Sequence, residues 1–309
     1  MITVLLPVYN QAETLGNAII SIQKQTWPHW TMLIINDGST DESLEIAYSF
    51  RKRDPRIKVA SKSNQGIIGA LNFGISQVET PYIARMDADD TCHPQRFAKQ
   101  IDLLEKSSWV GLCGTYFNRY KSSAKTRFYR PNSHNSIENY FLFGNPIAHG
   151  SVVVRTELIK QAGGYSRSRE ALHVEDYQLW TKLIQTTRIK SIPEYLYNYT
   201  VSPNSISQKH LLVQRTHRDV VAKAYATNYF SRKSLKRLYQ PLVIYTEALN
   251  CRTRYEYKMY YDILRKSAEV ARQHGCYKDF KMRLFLAQSL VSCGRERRAQ
   301  NRSQAKSPY

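Results

Sequence analysis

The chain has 309 residues, enough for one large α/β domain and a smaller appendage, and its hydrophobic share of 42% excludes wholesale disorder. Its formal charge is +20, with 22 lysines and arginines against 7 acidic residues from position 208 onward, a local surplus of +15. Such a field attracts anionic partners, nucleic acid or the phosphates of a membrane surface, while no run of eighteen apolar residues offers a bilayer-spanning helix.

Residues 2–9 read as a buried strand and not as a secretory signal, since no basic leader or small-residue cleavage site precedes them. Leu15, Ala18, Ile19 and Ile22 then recur at helical spacing. Residues 30–36 predict a second strand, 41–53 a helix opened by acidic residues, 57–60 a third strand and 66–78 a third helix. A fourth strand follows at 82–86 and a fourth helix at 94–106, begun by a proline at a tolerated position. Strands alternating with helices imply a mostly parallel sheet, Rossmann-like, with helices on both faces. From 148 to about 199 the pattern is mixed, with a strand over 151–154 and a helix over 177–185. Beyond 207 it predicts helices at 211–229, 234–248, 255–274 and 278–293, then a polar basic tail from 294. The domain division is therefore 1–207 for the α/β part and 208–309 for a basic C-terminal helical region.

The five cysteines are scattered, without a CxxC pair, so neither a disulfide framework nor a zinc knuckle is expected, and a reducing compartment fits. His210 and His217 are seven apart and read as solvated helix positions.

Chemistry concentrates at strand ends, where ligands of parallel sheets bind. The fourth strand runs into Asp87, Asp89 and Asp90. Residues two apart in an extended chain face the same way, so Asp87 and Asp89 can converge on one cation. Carboxylate oxygens suit hard ions such as Mg²⁺ or Mn²⁺, which complete their shells with water and substrate phosphates; the bland reading of the cluster is an exposed acidic turn. Asp37 ends the second strand in Asn36-Asp37-Gly38-Ser39-Thr40-Asp41, where a carboxylate can accept a nucleobase N–H and Ser39 or Asp41 can cap the next helix. The glycine-bearing turn at 64–70 has neither dinucleotide-fingerprint nor P-loop spacing.

Together with Pro7-Val8-Tyr9-Asn10, Pro94-Gln95-Arg96, the stretch from Asn145 to Ser151, Gly163-Gly164-Tyr165 and Glu175-Asp176-Tyr177-Gln178-Leu179-Trp180, these segments resemble the family-2 glycosyltransferases of the GT-A fold, especially those building bacterial surface polysaccharides. The resemblance covers roughly 1–207, and its specificity lies in the joint order of the pieces. It implies an inverting enzyme that moves a sugar from a nucleotide diphosphate, UDP favoured, to a hydroxyl of a glycan or lipid-linked acceptor. Pro7, Tyr9 and Asp37 would line the nucleotide pocket, and Asp87 with Asp89 would hold Mn²⁺ or Mg²⁺ on the donor diphosphate. Asp176 would be the general base, with Glu175 and, more weakly, His149 on the acceptor side. An aspartate of ordinary pKa, about 4, is ionised at neutral pH and ready to take that proton.

Two departures stand out. Many relatives carry two aspartates where this chain has Asn36-Asp37, and often an arginine and a histidine where Thr200 and Ser202 stand, which implies weaker metal binding or closure by water. The family pattern does not reach 208–309. Its interleaved tyrosines and basic residues suit an anionic membrane surface, which places the protein in the cytoplasm, peripheral on the inner face of the cell membrane. A sugar nucleotidyltransferase and a basic nucleic-acid-binding protein are the alternatives, although aspartates gathered at strand ends would repel nucleic acid.

Overall fold

Seven buried residues, ITVLLPV, apolar but for Thr3, form β1 (Ile2–Val8), as a strand covered on both faces requires. After α1 (Ala12–Gln23) come β2 (Trp30–Asn36), α2 (Ser43–Arg53), β3 (Ile57–Ser61), α3 (Gly66–Ser76) and β4 (Tyr82–Arg85). β1 pairs in parallel with β2 and with β4, and β2 with β3. The β1–β4 ladder stops at Leu5↔Arg85, whereas β1 follows β2 as far as Val8↔Asn36. Leu5 O accepts the Met86 N–H on the β4 side, and Val8 O accepts the Asp37 N–H on the β2 side. Pro7 is in phase with Leu5, so the N–H it lacks would point beyond the end of the β4 ladder, where no hydrogen bond is lost. β1 and β4 part at this point and strand order reverses, the place where parallel sheets open a crevice.

The chain continues with β5 (Thr91–Cys92), α4 (Arg96–Lys106), β6 (Val110–Lys121), β7 (Ala124–Phe128) and α5 (His134–Tyr140). A 3-10 turn (His149–Ser151) leads into β8 (Val153–Arg155), then α6 (Thr156–Gln161), α7 (Glu175–Leu183), β9 (Arg188–Thr200) and α8 (Leu211–Ser231). The strands form one sheet in the order β3-β2-β1-β4-β8-β6-β9-β5, with β7 on β6. The expected α/β architecture is present. Parallel pairing holds through β3-β2-β1-β4; beyond it the sheet is mixed, because β8 leaves the 3-10 turn running opposite to β4.

The computed structural model describes residues 1–122, 124–128, 130–141, 144–201 and 210–231, with positions 265, 268, 269 and 272. The expected helices at 234–248 and 278–293, the tail from 294 and Ser202 lie outside the described residues, as does the helix expected at 255–274 apart from those four positions. Among the described residues no helix is long and apolar enough to cross a membrane. The chain divides into two units, Met1–His134 with Gly144–Val221, and Asn135–Phe143 with Ala222–Tyr309. The first contains the sheet. Within the second, Tyr225 Oη donates to Glu138 O at 3.2 Å, and its ring meets Phe141 edge-on at 6.0 Å.

Candidate active site

The crevice beyond β1 and β4 is a cleft of about 640 Å³, within the range of roughly 300–1,000 Å³ usual for small-molecule sites. Pro7, Tyr9, Asp37, Asp87, Asp89, His149, Glu175 and Asp176 all line it, so the residues expected on the nucleotide, the metal, the base and the acceptor face one space. Among the described lining residues six are acidic (Asp37, Asp87, Asp89, Asp90, Glu175 and Asp176), and Arg85 is the only lysine or arginine.

One wall is the turn after β4. Arg85, its last residue, has a side chain only 6% exposed that ion-pairs through Nη1 with Asp87 Oδ1. Burial opposes the guanidinium charge, and the Asp87 carboxylate more than compensates, raising its pKa. Asp89 is pushed up to about 6 by burial and by Asp87. Asp90 is buried, and burial with Asp87 and Asp89 drives it well above the carboxylate range. It is held from β9: Tyr197 Oη donates to Asp90 Oδ2 at 2.6 Å, and the Thr200 N–H to Oδ1 at 2.7 Å. The expected departure at Thr200 thus lies on the backbone support of the carboxylate turn.

Two further residues fix that wall. Arg96, wholly buried at the start of α4, donates Nη2 hydrogen bonds to Arg85 O (2.9 Å) and Val152 O (3.2 Å), stitching the end of β4 to the chain entering β8. A Cβ on Gly150 would overlap the Tyr197 hydroxyl and come within 2.8 Å of Asp87 Oδ2, so glycine is what lets the 3-10 turn approach the carboxylates.

The second wall is the end of β2. Asp37 Oδ1 accepts from Lys62 Nζ at 2.8 Å and the Gln65 N–H at 3.0 Å, while among the described residues no donor reaches Oδ2. Asn36 does not line the cleft. It is buried, donates Nδ2 to Ser61 Oγ at 2.9 Å and accepts the Ser39 N–H at 3.3 Å, so its difference from the paired aspartates of relatives falls on the β2–β3 junction and not on the ligand surface. Asp41, expected as a cap, accepts both the Ser43 and the Ala12 N–H at 3.0 Å, joining the starts of α1 and α2.

The third wall is the first turn of α7, where the helix dipole favours anions. Asn145 Nδ2 donates to Asp176 Oδ2 at 2.8 Å, and the Tyr177 N–H to Oδ1 at 2.7 Å. Desolvation lifts Asp176 to about 6, against hydrogen bonding from the Tyr177 N–H and the charge of Arg85; the ordinary pKa expected from sequence is corrected upward. Glu175 is 8% exposed with Oε2 unpartnered, and burial with the neighbouring Asp176 raises it to about 7. His149 meets the Tyr165 hydroxyl at 2.7 Å, and burial with nearby Arg85 holds its pKa well below the usual value, so the ring is neutral at pH 7. His210 and His217 are not simply solvated: His210 stacks on His173 at 4.2 Å, and His217 Nδ1 donates to Leu172 O at 2.8 Å.

Among the described residues no group of three or more His, Cys, Asp or Glu side chains is arranged to hold a metal ion. Asp87 and Asp89 offer two hard oxygen donors beside the cleft, a set that fits a cation sharing its shell with water and phosphate. The sequence reading assigned no role to Arg85, Asn145 or Tyr197. Asn145 opens the quoted stretch that runs to Ser151 and Arg85 lies on the expected fourth strand; nothing in the sequence marks Tyr197.

A family model described as Glycosyl transferase family 2 matches residues 3–159. The amylovoran biosynthesis glycosyltransferase AmsE of Erwinia amylovora is 30% identical over 214 residues, covering 68% of this chain and 79% of that protein. TarS 1-349 of S. aureus in complex with UDP matches with a TM-score of 0.56 at 17% identity, over 93% of this chain and 91% of that one. The mannosyltransferase PcManGT of Pyrobaculum calidifontis, in complex with GDP-Man and Mn²⁺, matches with a TM-score of 0.54 at 15% identity, over 92% of this chain and 86% of that one. The structural likeness establishes the GT-A fold, and the sequence matches the family: this chain belongs to glycosyltransferase family 2 and is a glycosyltransferase.

Proposed function

We propose that the chain transfers a sugar from a UDP-linked donor to a hydroxyl of a glycan or lipid-linked acceptor in surface-polysaccharide synthesis, by one displacement with inversion. The observation that carries this reading is the division of carboxylates in a single cleft: Asp87 and Asp89 on the β4 wall, Asp176 on the α7 wall. A diphosphate entering among the ionised carboxylates of the cleft is repelled unless a cation accompanies it. Asp87 and Asp89 would hold Mn²⁺ or Mg²⁺, which supplies charge neutralisation of the departing phosphate. Pro7 and Tyr9 flank the nucleotide. Asp37, with one oxygen committed to Lys62 and Gln65, has a single acceptor left. That suits the lone ring N–H of uracil better than the paired donors of guanine. Asp176, steered by Asn145, takes the acceptor proton as the new bond forms; its raised pKa makes it a stronger base than a solvated aspartate. Glu175 and His149 contact the acceptor. AmsE, named for amylovoran biosynthesis, supports the polysaccharide setting.

The basic surplus from 208 onward supports peripheral attachment to the anionic inner face of the cell membrane, on the order of 1 kcal/mol for each basic residue facing the leaflet. Salt-sensitive binding to anionic liposomes is the expected result; equal binding to neutral vesicles would count against it.

A thermal-shift panel of UDP-, GDP- and dTDP-sugars with and without Mn²⁺ tests the donor and the metal together. Asp176→Asn is expected to keep Mn²⁺-dependent UDP binding and to lose transfer. Near-full turnover by that variant removes Asp176 from the base role.

A further inference from the structure

The Arg85 guanidinium is the least satisfied buried cation of the site. Its side chain is 6% exposed and its carboxylate partner is Asp87 Oδ1, through Nη1. Nε and Nη1 are both buried without a hydrogen-bond acceptor among the described residues, the Nη1 contact with Asp87 being an ion pair alone. A guanidinium carries five N–H donors in a rigid fork, and leaving buried donors unmade is expensive. Arg85 also lines the cleft, and its remaining amino group, Nη2, is not among those buried atoms, so it is the donor that a ligand there can reach.

The surroundings narrow what that ligand group is. Arg85 lines the same cleft as Asp89 of one wall and Glu175 and Asp176 of the other, so it borders the space between the leaving-group side and the base side. For one displacement to occur, the sugar ring must occupy that interval, with its anomeric carbon facing both. Arg85 with Asp87 is net neutral, and every other charged lining residue among those described is acidic. An additional anion finds no free positive charge there, whereas hydroxyl groups can both accept from the fork and donate to Asp87.

We infer that the Arg85–Asp87 pair reads the hydroxyls of the transferred sugar and determines which neutral sugar the site accepts. This rests on the nucleotide-sugar reading above and deepens it. Arg85 is the specificity residue and Asp87 has a second role beside the cation. Lysine keeps the charge at 85 but not the planar fork, so it does not substitute.

Calorimetry on the full chain in Mn²⁺ tests this, with UDP, UDP-glucose, UDP-galactose, UDP-N-acetylglucosamine, UDP-N-acetylgalactosamine and UDP-glucuronic acid as probes. Arg85→Met and Arg85→Lys are expected to bind UDP within about twofold of wild type and to lose about tenfold or more for at least one neutral UDP-sugar, as one charge-assisted hydrogen bond predicts. Retained UDP affinity shows that each variant is folded. The inference is overturned if every UDP-sugar weakens in step with UDP, if Arg85→Lys restores the lost affinity, or if the sugar that depends on Arg85 is the uronic acid. A wild type that binds none of the six overturns the donor reading itself, and this inference with it.

Discussion

Asn145 delivers its amide N–H to Asp176 Oδ2 at 2.8 Å, fixing how the carboxylate is turned at the wall of the cleft. The other oxygen takes the Tyr177 N–H, so the side chain is oriented from both ends. Asn145→Ala removes the outer tether while leaving the helix turn intact. We expect kcat to fall about 10–100-fold, the equivalent of one hydrogen bond to a charged group at about 1.5–3 kcal/mol. UDP affinity should stay within about twofold, since Asn145 is not among the residues that line the cleft. Steady-state UDP release and UDP titration separate the two effects, and a variant that loses both equally would show Asn145 to be structural.

The raised carboxylates set a pH dependence. Asp176 titrates at about 6 and must be ionised to accept a proton. Activity should therefore be flat above about pH 7 and fall about tenfold per unit below pH 6. With Glu175 raised to about 7 beside it, the limb belongs to the pair and not to one residue. A pH–rate profile of UDP release checks this. A limb centred near 4 would mean that the site is wetter than its geometry indicates.

Glu175 bears on stability with a definite sign. Its folded pKa of about 7 lies above the ordinary 4.5, so between those values the folded chain holds a proton that the unfolded chain has released. Stability therefore falls as pH rises through this window, and the cost is complete above pH 7 and absent below 4.5. Glu175→Gln should stabilise the ligand-free protein at pH 8 by roughly 1–3 kcal/mol, a few degrees in Tm. At pH 4 the variant and wild type should coincide. Thermal scans at the two pH values decide it, and a loss at both would show that the carboxylate makes a favourable contact.

The parallel half of the fold was legible because its strands are short apolar runs between amphipathic helices, and predicted and observed ends there differ by at most two residues. The carboxylates were legible because each sits at the end of such a run. β6 and β9 escaped notice for physical reasons. Gly111 and Gly114 interrupt the apolar run of β6 because side chains of Leu158, Thr187, Ser191 and Ile147 occupy the space where a Cβ would go. In β9 Pro193 falls where pairing skips from Ile192 to Tyr195, a bulge that accommodates its missing N–H but reads in sequence as a break. Composition misdirected as well: the net charge of +20 describes the chain, whereas the cleft is the reverse, six acidic residues around one arginine. No pattern in one dimension could pair Tyr197 with Asp90, 107 residues apart.

That pairing leads to a prediction about how the carboxylate turn is held. Tyr197 Oη gives its proton to Asp90 Oδ2 at 2.6 Å and lies 3.4 Å from the Asp87 N–H, so one hydroxyl ties both ends of the turn to β9. Tyr197→Phe keeps the packed ring and removes only that tie, leaving a buried Asp90 oxygen without its donor, at a cost of about 1–3 kcal/mol. Denaturant unfolding should register the loss, and UDP binding in Mn²⁺ should weaken more than its Mn²⁺-free counterpart, because the turn carries Asp87 and Asp89 and not the nucleobase wall. If the two residues act as one unit, Asp90→Asn added to Tyr197→Phe costs less than the sum of the single changes. Strict additivity in that double-mutant cycle would mean that the hydroxyl and the carboxyl contribute independently, and the turn would then owe its shape to Arg96 and the Thr200 N–H alone.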